Sequence, residues 1–309
     1  VLNMEHHVIK ISSEDFFDKL QQCIKIVEEP LATTSIVPMF FLSKLASEHV
    51  KVVLSGQGAD EPLGGYKRYQ CELLSTRTPH ILMKILDLII RKNSHLQKST
   101  YSQAIHALAE KENIPRLLKY YEVFNPEEIN KLTGVRETHS EDMVSRYYRL
   151  LHCSSKKYPV ERMMGIDLRM NLADDLLLYS DKITMRHSLE CRVPILDLEL
   201  INFIESLPQS FRIRLGRGKF IHKCFARKIL PSSIVNRPKK GFLSPFKQWF
   251  KETKKIQDIL LEPNSNFSTF FNLKEVNNFI ARNMQGSSKE KQFFLLICIK
   301  YFLDKDTKR

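Results

Sequence analysis

Apolar positions along the chain fall first into two short extended runs with helical runs between them. His7-Val8-Ile9-Lys10-Ile11 alternates apolar and polar residues, and Val50-Lys51-Val52-Val53-Leu54 is rich in β-branched residues and ends at a Ser-Gly turn; both predict strands. Phe16, Phe17, Leu20, Ile24 and Val27 recur at helical spacing behind a capping Ser13, and Met39, Leu42 and Leu45 do so behind Ser35. The order β-α-α-β is that of part of an open parallel sheet. Beyond about Gln70 the strand signals fade, and the pattern predicts helix after helix, broken by Pro115, Pro126, Pro159, Pro194, Pro231, Pro238 and Pro245. One of these, a run from Phe293 to Phe302, reads as a buried helix, because it is too short to span a bilayer and contains Lys300. With no repeat and no low-complexity segment, the expectation is one domain: an α/β part at 1–70, a helical extension at 71–155 and a helical return at 156–309.

Composition narrows the class. At 309 residues and 43% hydrophobic content, the chain buries a large core, which excludes overall disorder. A net charge of +13 attracts polyanions, yet the Lys and Arg are dispersed rather than gathered into an aromatic-interleaved stripe, so the reading is a solvated basic surface and not a nucleic-acid interface. Cys23, Cys71, Cys153, Cys191, Cys224 and Cys298 form no C-x-x-C pair, so neither a disulfide framework nor a zinc site is expected, and a reducing cytoplasm fits best. No signal peptide opens the chain, no membrane association is expected, and Val1 in place of a methionine suggests a start inside a longer reading frame.

Four segments carry candidate chemistry. Ser55-Gly56-Gln57-Gly58-Ala59-Asp60-Glu61, continuing Pro62-Leu63-Gly64-Gly65-Tyr66, directly follows the second strand. Ligands of open α/β sheets bind at such C-terminal strand ends, glycines there admit a phosphate close to backbone N–H groups, and Asp60 suits magnesium. An ordinary glycine turn is the bland alternative. Glu28-Glu29-Pro30 ends the Ser13 helix, where acids oppose the macrodipole by about 0.3–1 kcal/mol each; they are either a solvated helix end or held by something else. In the stretch from Asp174 to Asp197, a helix would align Leu178, Met185 and Leu189, with Asp174 and Asp181 flanking that stripe as site residues or solvated flanks. Asp197 reads first as an N-cap for the helix with Leu200, Phe203 and Ile204, and His187 as a structural histidine. Asn236-Arg237-Pro238-Lys239-Lys240-Gly241-Phe242 is a basic loop that could neutralise charge on a departing pyrophosphate, or a solvated turn.

Taken in order and at these separations, the four segments resemble the synthetase domain of the glutamine-hydrolysing asparagine synthetases, whose strings are close to D-E-P, S-G-E-G-A-D-E-x-x-G-G-Y, D-x-x-S-M-x-x-S-L-E-x-R-V-P-x-L-D and N-R-P-K-x-G-F. The resemblance extends over nearly the whole chain and is weakest between about 75 and 155. It implies a pyrophosphatase-type (adenine nucleotide alpha hydrolase-like) α/β nucleotide-binding domain with an incomplete parallel sheet and a large helical portion. It also implies an adenylation in which ATP and Mg²⁺ activate the aspartate side chain and ammonia, drawn from glutamine, forms the amide. Carried over by position, Ser55, Gly56 and Gly58 contact the nucleotide, Asp60 holds magnesium, and Lys239 stabilises charge on the reacting phosphates. Gln57, Asp181, Glu190 and Arg192 match positions on the substrate side. A homodimer is compatible with this reading.

Two departures qualify the expectation. Position 57, usually glutamate, is Gln57, a neutral side chain that cannot act as a base. No S-G-G-x-D-S string occurs in the 309 residues, nor does a cysteine glutaminase segment. The resemblance therefore implies a missing N-terminal piece, a remnant with exposed apolar surface and unpaired strand edges, and no catalysis by these residues alone. The alternatives are a cyclising synthetase or amidotransferase relative acting on another carboxylate, and a non-catalytic remnant.

Overall fold

Ser12, rather than Ser13, caps the first helix: its hydroxyl accepts from the Asp15 backbone N–H while the Asp15 carboxylate reaches back to the Ser12 N–H, a reciprocal capping box. The structure is a computed structural model that describes residues 4–93, 102–136, 139–152, 158–238, 241–242, 244–246, 248–249, 255–283 and 289–304. The first elements are α1 (Ser13–Val27), α2 (Ile36–Ser47), β1 (Val52–Leu54), α3 (Lys67–Ser75) and α4 (His80–Lys92). They are followed by α5 (Ser102–Leu108), α6 (Asn113–Tyr121), α7 (Pro126–Thr133), α8 (Ser140–Leu150) and α9 (Pro159–Asp167). A π-helical stretch, Leu168–Leu177, joins α9 to α10 (Leu178–Met185).

The chain then forms β2 (Glu190–Arg192), a 3₁₀ turn (Pro194–Leu196), α11 (Leu198–Ser206), α12 (Gln209–Arg212), α13 (Phe220–Ala226) and α14 (Ser232–Val235). It ends with α15 (Lys255–Leu260), α16 (Asn266–Phe270), α17 (Leu273–Asn283) and α18 (Glu290–Leu303). The protein is thus α/β but mostly helical. Its sheet, among the described residues, is the parallel pair β1–β2, with Val52 opposite Glu190 and Leu54 opposite Arg192.

Two apolar clusters organise the helices. In the larger, the buried face of α1 packs on α2, α10 and α18, joined by Phe246 and by Ile256, Phe267, Val276 and Ile280 from α15–α17. The smaller unites Tyr69 and Leu73 of α3 with Leu117 of α6, Val144 of α8, Met163 and Met164 of α9, and Ile213. Lys300, 2% exposed, sits within α18 because Glu262 and Asp304 both receive its ammonium. No helix among the described residues is long and apolar enough to cross a membrane.

Several local expectations are corrected. His7–Ile11 forms no strand: Val8 is 68% exposed, and the alternation has neither a core nor a neighbouring strand among the described residues to pair with. The second strand is trimmed to Val52–Leu54. Ser35 precedes α2 without a side-chain cap, its hydroxyl donating instead to the Phe242 carbonyl. The helix expected through Leu189 stops at Met185, so Met185 is exposed while Leu189 turns into the interior and leads into β2, a strand the pattern did not show. Asp197 does cap α11, accepting from the N–H groups of Glu199 and Leu200 at 3.1 Å.

Candidate functional site at the end of the parallel strands

β1 is short because its sequence immediately turns. Ser55 N–H donates to the Arg192 carbonyl at 2.8 Å, the last rung of the β1–β2 pairing, and the chain then enters the glycine turn. Gly58 has φ +77°, and a Cβ there would lie 2.6 Å from Leu196 Cγ, so the turn demands glycine for both conformation and space. Gly56 differs: an added Cβ would meet nothing within 4 Å. Its glycine is not required by packing, and its backbone is open to an approaching group.

The turn is fastened on two sides. Toward α10, Gln57 exchanges two hydrogen bonds with Ser180, Nε2 donating at 2.8 Å and Oε1 accepting at 3.1 Å. A neutral amide can satisfy this reciprocal pairing, whereas a carboxylate could only accept. Toward the segment before α13, Asp60 Oδ1 pairs with Lys219 Nζ at 3.0 Å, and Lys219 N–H donates to the Leu63 carbonyl at 2.8 Å. Lys219 takes a left-handed conformation, φ 53°, which costs a non-glycine residue about 1–2 kcal/mol. The close approach leaves no room at Gly65, where a Cβ would fall 2.5 Å from Lys219 Cε, nor at Gly218, where it would strike the Gly64 carbonyl oxygen.

Behind the turn lies a buried polar network. Glu61, 1% exposed, accepts from Tyr66 Oη at 2.5 Å through one oxygen, and its Oε2 has no partner among the described residues. Burial is the main cause raising its carboxyl above the usual carboxylate range. Asp167, at the end of α9, accepts from Arg68 at 2.6 and 2.9 Å and from Tyr69 at 2.5 Å, while the Arg68 guanidinium lies 3.9 Å over the Tyr66 ring. One turn before Tyr179, the Asp175 carboxyl is pushed up to about 6 by burial, opposed by Lys291, and its Oδ1 is also without a partner.

A carboxyl raised in the folded state favours folding with the proton on. Asp175 therefore stabilises most below about pH 4, and that contribution is lost as pH rises through about 6. Asp175→Asn is expected to melt higher than the parent at pH 7.5, with the gap shrinking toward pH 4.5; melting curves across that range check it.

Of the residues singled out in the sequence, Ser55 is bonded through its N–H to the Arg192 carbonyl, Gln57 is bonded to Ser180, the residue before Asp181, and the Cys191 thiol is influenced by both the Ser55 side chain and the Asp181 charge. Asp181 is exposed. Glu190 and Arg192 share one face of β2 and pair with each other at 2.7 Å, a contact that lowers the Glu190 carboxyl. Glu28 is explained differently from a bare helix end. Lys182 of α10 donates to its carboxylate at 2.8 Å and to the Val27 carbonyl at 2.7 Å, placing a cation at the α1 C-terminus. Lys239 lies outside the described residues. Phe242, further along that loop, has its carbonyl held by Ser35, whose side chain also influences the Tyr179 phenol, beside Ser180.

Sequence reasoning missed Ser180, Lys219, Glu61 with Tyr66, and the Arg68–Asp167 pair. Glu61 and Tyr66 stood within the glycine motif and Ser180 within the Asp174–Asp197 stretch, where none of the three was given a role.

The family profile for asparagine synthase matches residues 1–301. The chain belongs to the asparagine synthase family. A putative glutamine-hydrolysing asparagine synthetase of Mycobacterium tuberculosis is 34% identical over 252 residues, covering 79% of this chain and 38% of the relative. Asparagine synthetase 1 of Bacillus subtilis is 31% identical over 268 residues, covering 81% and 39%. Amidase chry2 of Gibberella zeae is 21% identical over 299 residues, covering 85% and 43%. The chain spans about two fifths of the length of these curated relatives.

The site of this asparagine synthase family member can be tested against the magnesium nucleotide that the resemblance implies. The open backbone at Gly56, beside the Ser55 hydroxyl, is a cradle that a side chain would fill, and it fits a phosphate-bearing ligand. Asp60 supplies one carboxylate, and no cluster of three His, Cys, Asp or Glu side chains occurs among the described residues. Magnesium on a nucleotide takes most of its ligands from phosphate and water, so a single carboxylate fits that share, with Lys219 beside it as a second cation.

Proposed function

We propose that the protein is an ATP-dependent, amide-forming ligase that activates the side-chain carboxylate of aspartate for attack by ammonia, giving asparagine, AMP and pyrophosphate. The observation that carries this reading is the unfilled backbone at Gly56, at the C-terminal end of a parallel strand, with Asp60 in the same turn and Lys219 paired to it from the segment before α13. When bound, ATP and magnesium supply the adenylyl group and a stabilised leaving group. The Ser55-Gly56-Gln57-Gly58 backbone positions the phosphates, and Asp60 holds the metal. Lys219, and by resemblance Lys239, balances charge on the departing pyrophosphate. Asp181, Glu190 and Arg192 line the side where the carboxylate enters. We read β1–β2 as belonging to a pyrophosphatase-type sheet, and the enzyme as cytoplasmic.

Gln57 favours a second reading, in which another carboxylate is the substrate. With its amide committed to Ser180, position 57 provides no base to deprotonate an attacking amine. ATP–pyrophosphate exchange by the full-length protein separates the two. Aspartate-dependent exchange, with asparagine formed on adding ammonia, supports the first; exchange driven only by other carboxylates supports the second; none with any carboxylate rejects both. The 309 residues alone, lacking an S-G-G-x-D-S loop, are expected to give no exchange.

A further inference from the structure

α4 carries its apolar residues on the outside. Inward it presents a buried carboxylate, Asp87, bonded to Arg91 at 2.9 Å and to His106 of α5 at 3.1 Å, and His80 lies 2.7 Å from the Ala109 carbonyl. Outward it presents Ile81, Leu82, Ile85, Leu88 and Ile89, between 45% and 65% exposed. At 3.6 residues per turn these five fall within about 60° of Ile85 on either side, a continuous aliphatic stripe.

The stripe has an internal symmetry. It reads Ile-Leu-x-x-Ile-x-x-Leu-Ile, with Leu three positions and Ile four positions away from Ile85 in both directions. A surface of this kind is its own complement. Around a two-fold axis at Ile85, an antiparallel copy sets Ile81 against Ile89, Leu82 against Leu88, and Ile85 against itself, the i-to-j and j-to-i reciprocity of an isologous interface. We propose that this face of α4 pairs with the same face of a second copy of the chain.

Charge and area are consistent with that occupant and set its strength. No ionisable group stands among the five stripe residues. Arg91 is answered by Asp87 within its own chain, the Lys84 charge falls near Glu110, and Lys92 at the helix end has a stem long enough to keep its ammonium in water. Pairing therefore desolvates no ion. An anionic lipid surface is served less well, since the face lacks the aromatic residues and the strongly basic opposite side of interfacial helices. Five side chains on a 13-residue helix, about 20 Å long, cover less than the ~800 Å² per partner of a standard interface. The pairing is therefore concentration-dependent rather than permanent.

Sedimentation of the full-length protein over a range of concentrations tests this, together with oxidative cross-linking. A dimer that Ile85→Glu weakens at least tenfold, at unchanged melting temperature, is expected. Ile85→Cys should cross-link to itself above the background of the parent cysteines, and Ile81→Cys should link preferentially to Ile89→Cys in a mixture. A monomer at every concentration, or a dimer indifferent to Ile85→Glu, overturns the proposal. So does binding to phosphatidylglycerol vesicles that Ile85→Glu abolishes without any dimer, which would give the face to lipid.

Discussion

Arg116→Ala is expected to destabilise the protein by about 3–5 kcal/mol, the usual consequence of removing one partner from a buried ion pair. Arg116 and Glu72 are 7% and 4% exposed. The guanidinium donates to both Glu72 carboxylate oxygens at 2.8–3.1 Å, to the Glu110 and Lys111 carbonyls, and to Asn113 Oδ1. Truncation strands the Glu72 charge in the interior and leaves two carbonyls without their donor. The pair ties α3 to α6, and α3 begins directly after the glycine turn, so the loss should loosen the exit of the site as well as the helical extension. Thermal melting measures it, and replacing both partners, Arg116→Met with Glu72→Leu, should recover a large part of the loss because no uncompensated charge remains.

Asp60→Asn is expected to lower carboxylate-dependent ATP–pyrophosphate exchange in the full-length protein by about 10²–10³-fold, the scale of removing one preorganised electrostatic group from a reacting centre. Its effect on stability should be small. The Asp60–Lys219 pair is partly exposed, 21% and 23% at the two side chains, and such pairs contribute about 0–1 kcal/mol. The backbone contacts that hold the turn, Gly65 N–H to the Asp60 carbonyl at 2.7 Å and Lys219 N–H to the Leu63 carbonyl, are untouched by the change. A large loss of exchange at nearly constant melting temperature distinguishes a role in the reaction from a role in the fold.

What the sequence made legible is what local chemistry dictates. The amphipathic spacing of α1, the β-branched residues before Ser55, the cap at Asp197 and the apolar run of α18 each act within a few residues and could be read directly. β2 could not, because Glu190-Cys191-Arg192 is short and polar, and its strand conformation comes from hydrogen bonds to β1, far away in the chain. His7–Ile11 is the converse case: alternation without a partner is no strand. The side-chain pairs that shape the site, Gln57 with Ser180, Asp60 with Lys219 and Arg68 with Asp167, each join distant segments and leave no periodicity to find. The change from glutamate to Gln57 was visible as an anomaly, but its physical sense, a reciprocal amide–hydroxyl pair, required the geometry.

In the proposed ligase the turn leaving β1 faces the phosphates of a magnesium nucleotide. Amide hydrogen exchange of the full-length protein, with and without ATP and magnesium, tests it most directly. Protection concentrated in residues 55–60 and around Lys219, and lost in Asp60→Asn, is the expected result. Nucleotide-dependent protection elsewhere, with those amides unchanged, would contradict it.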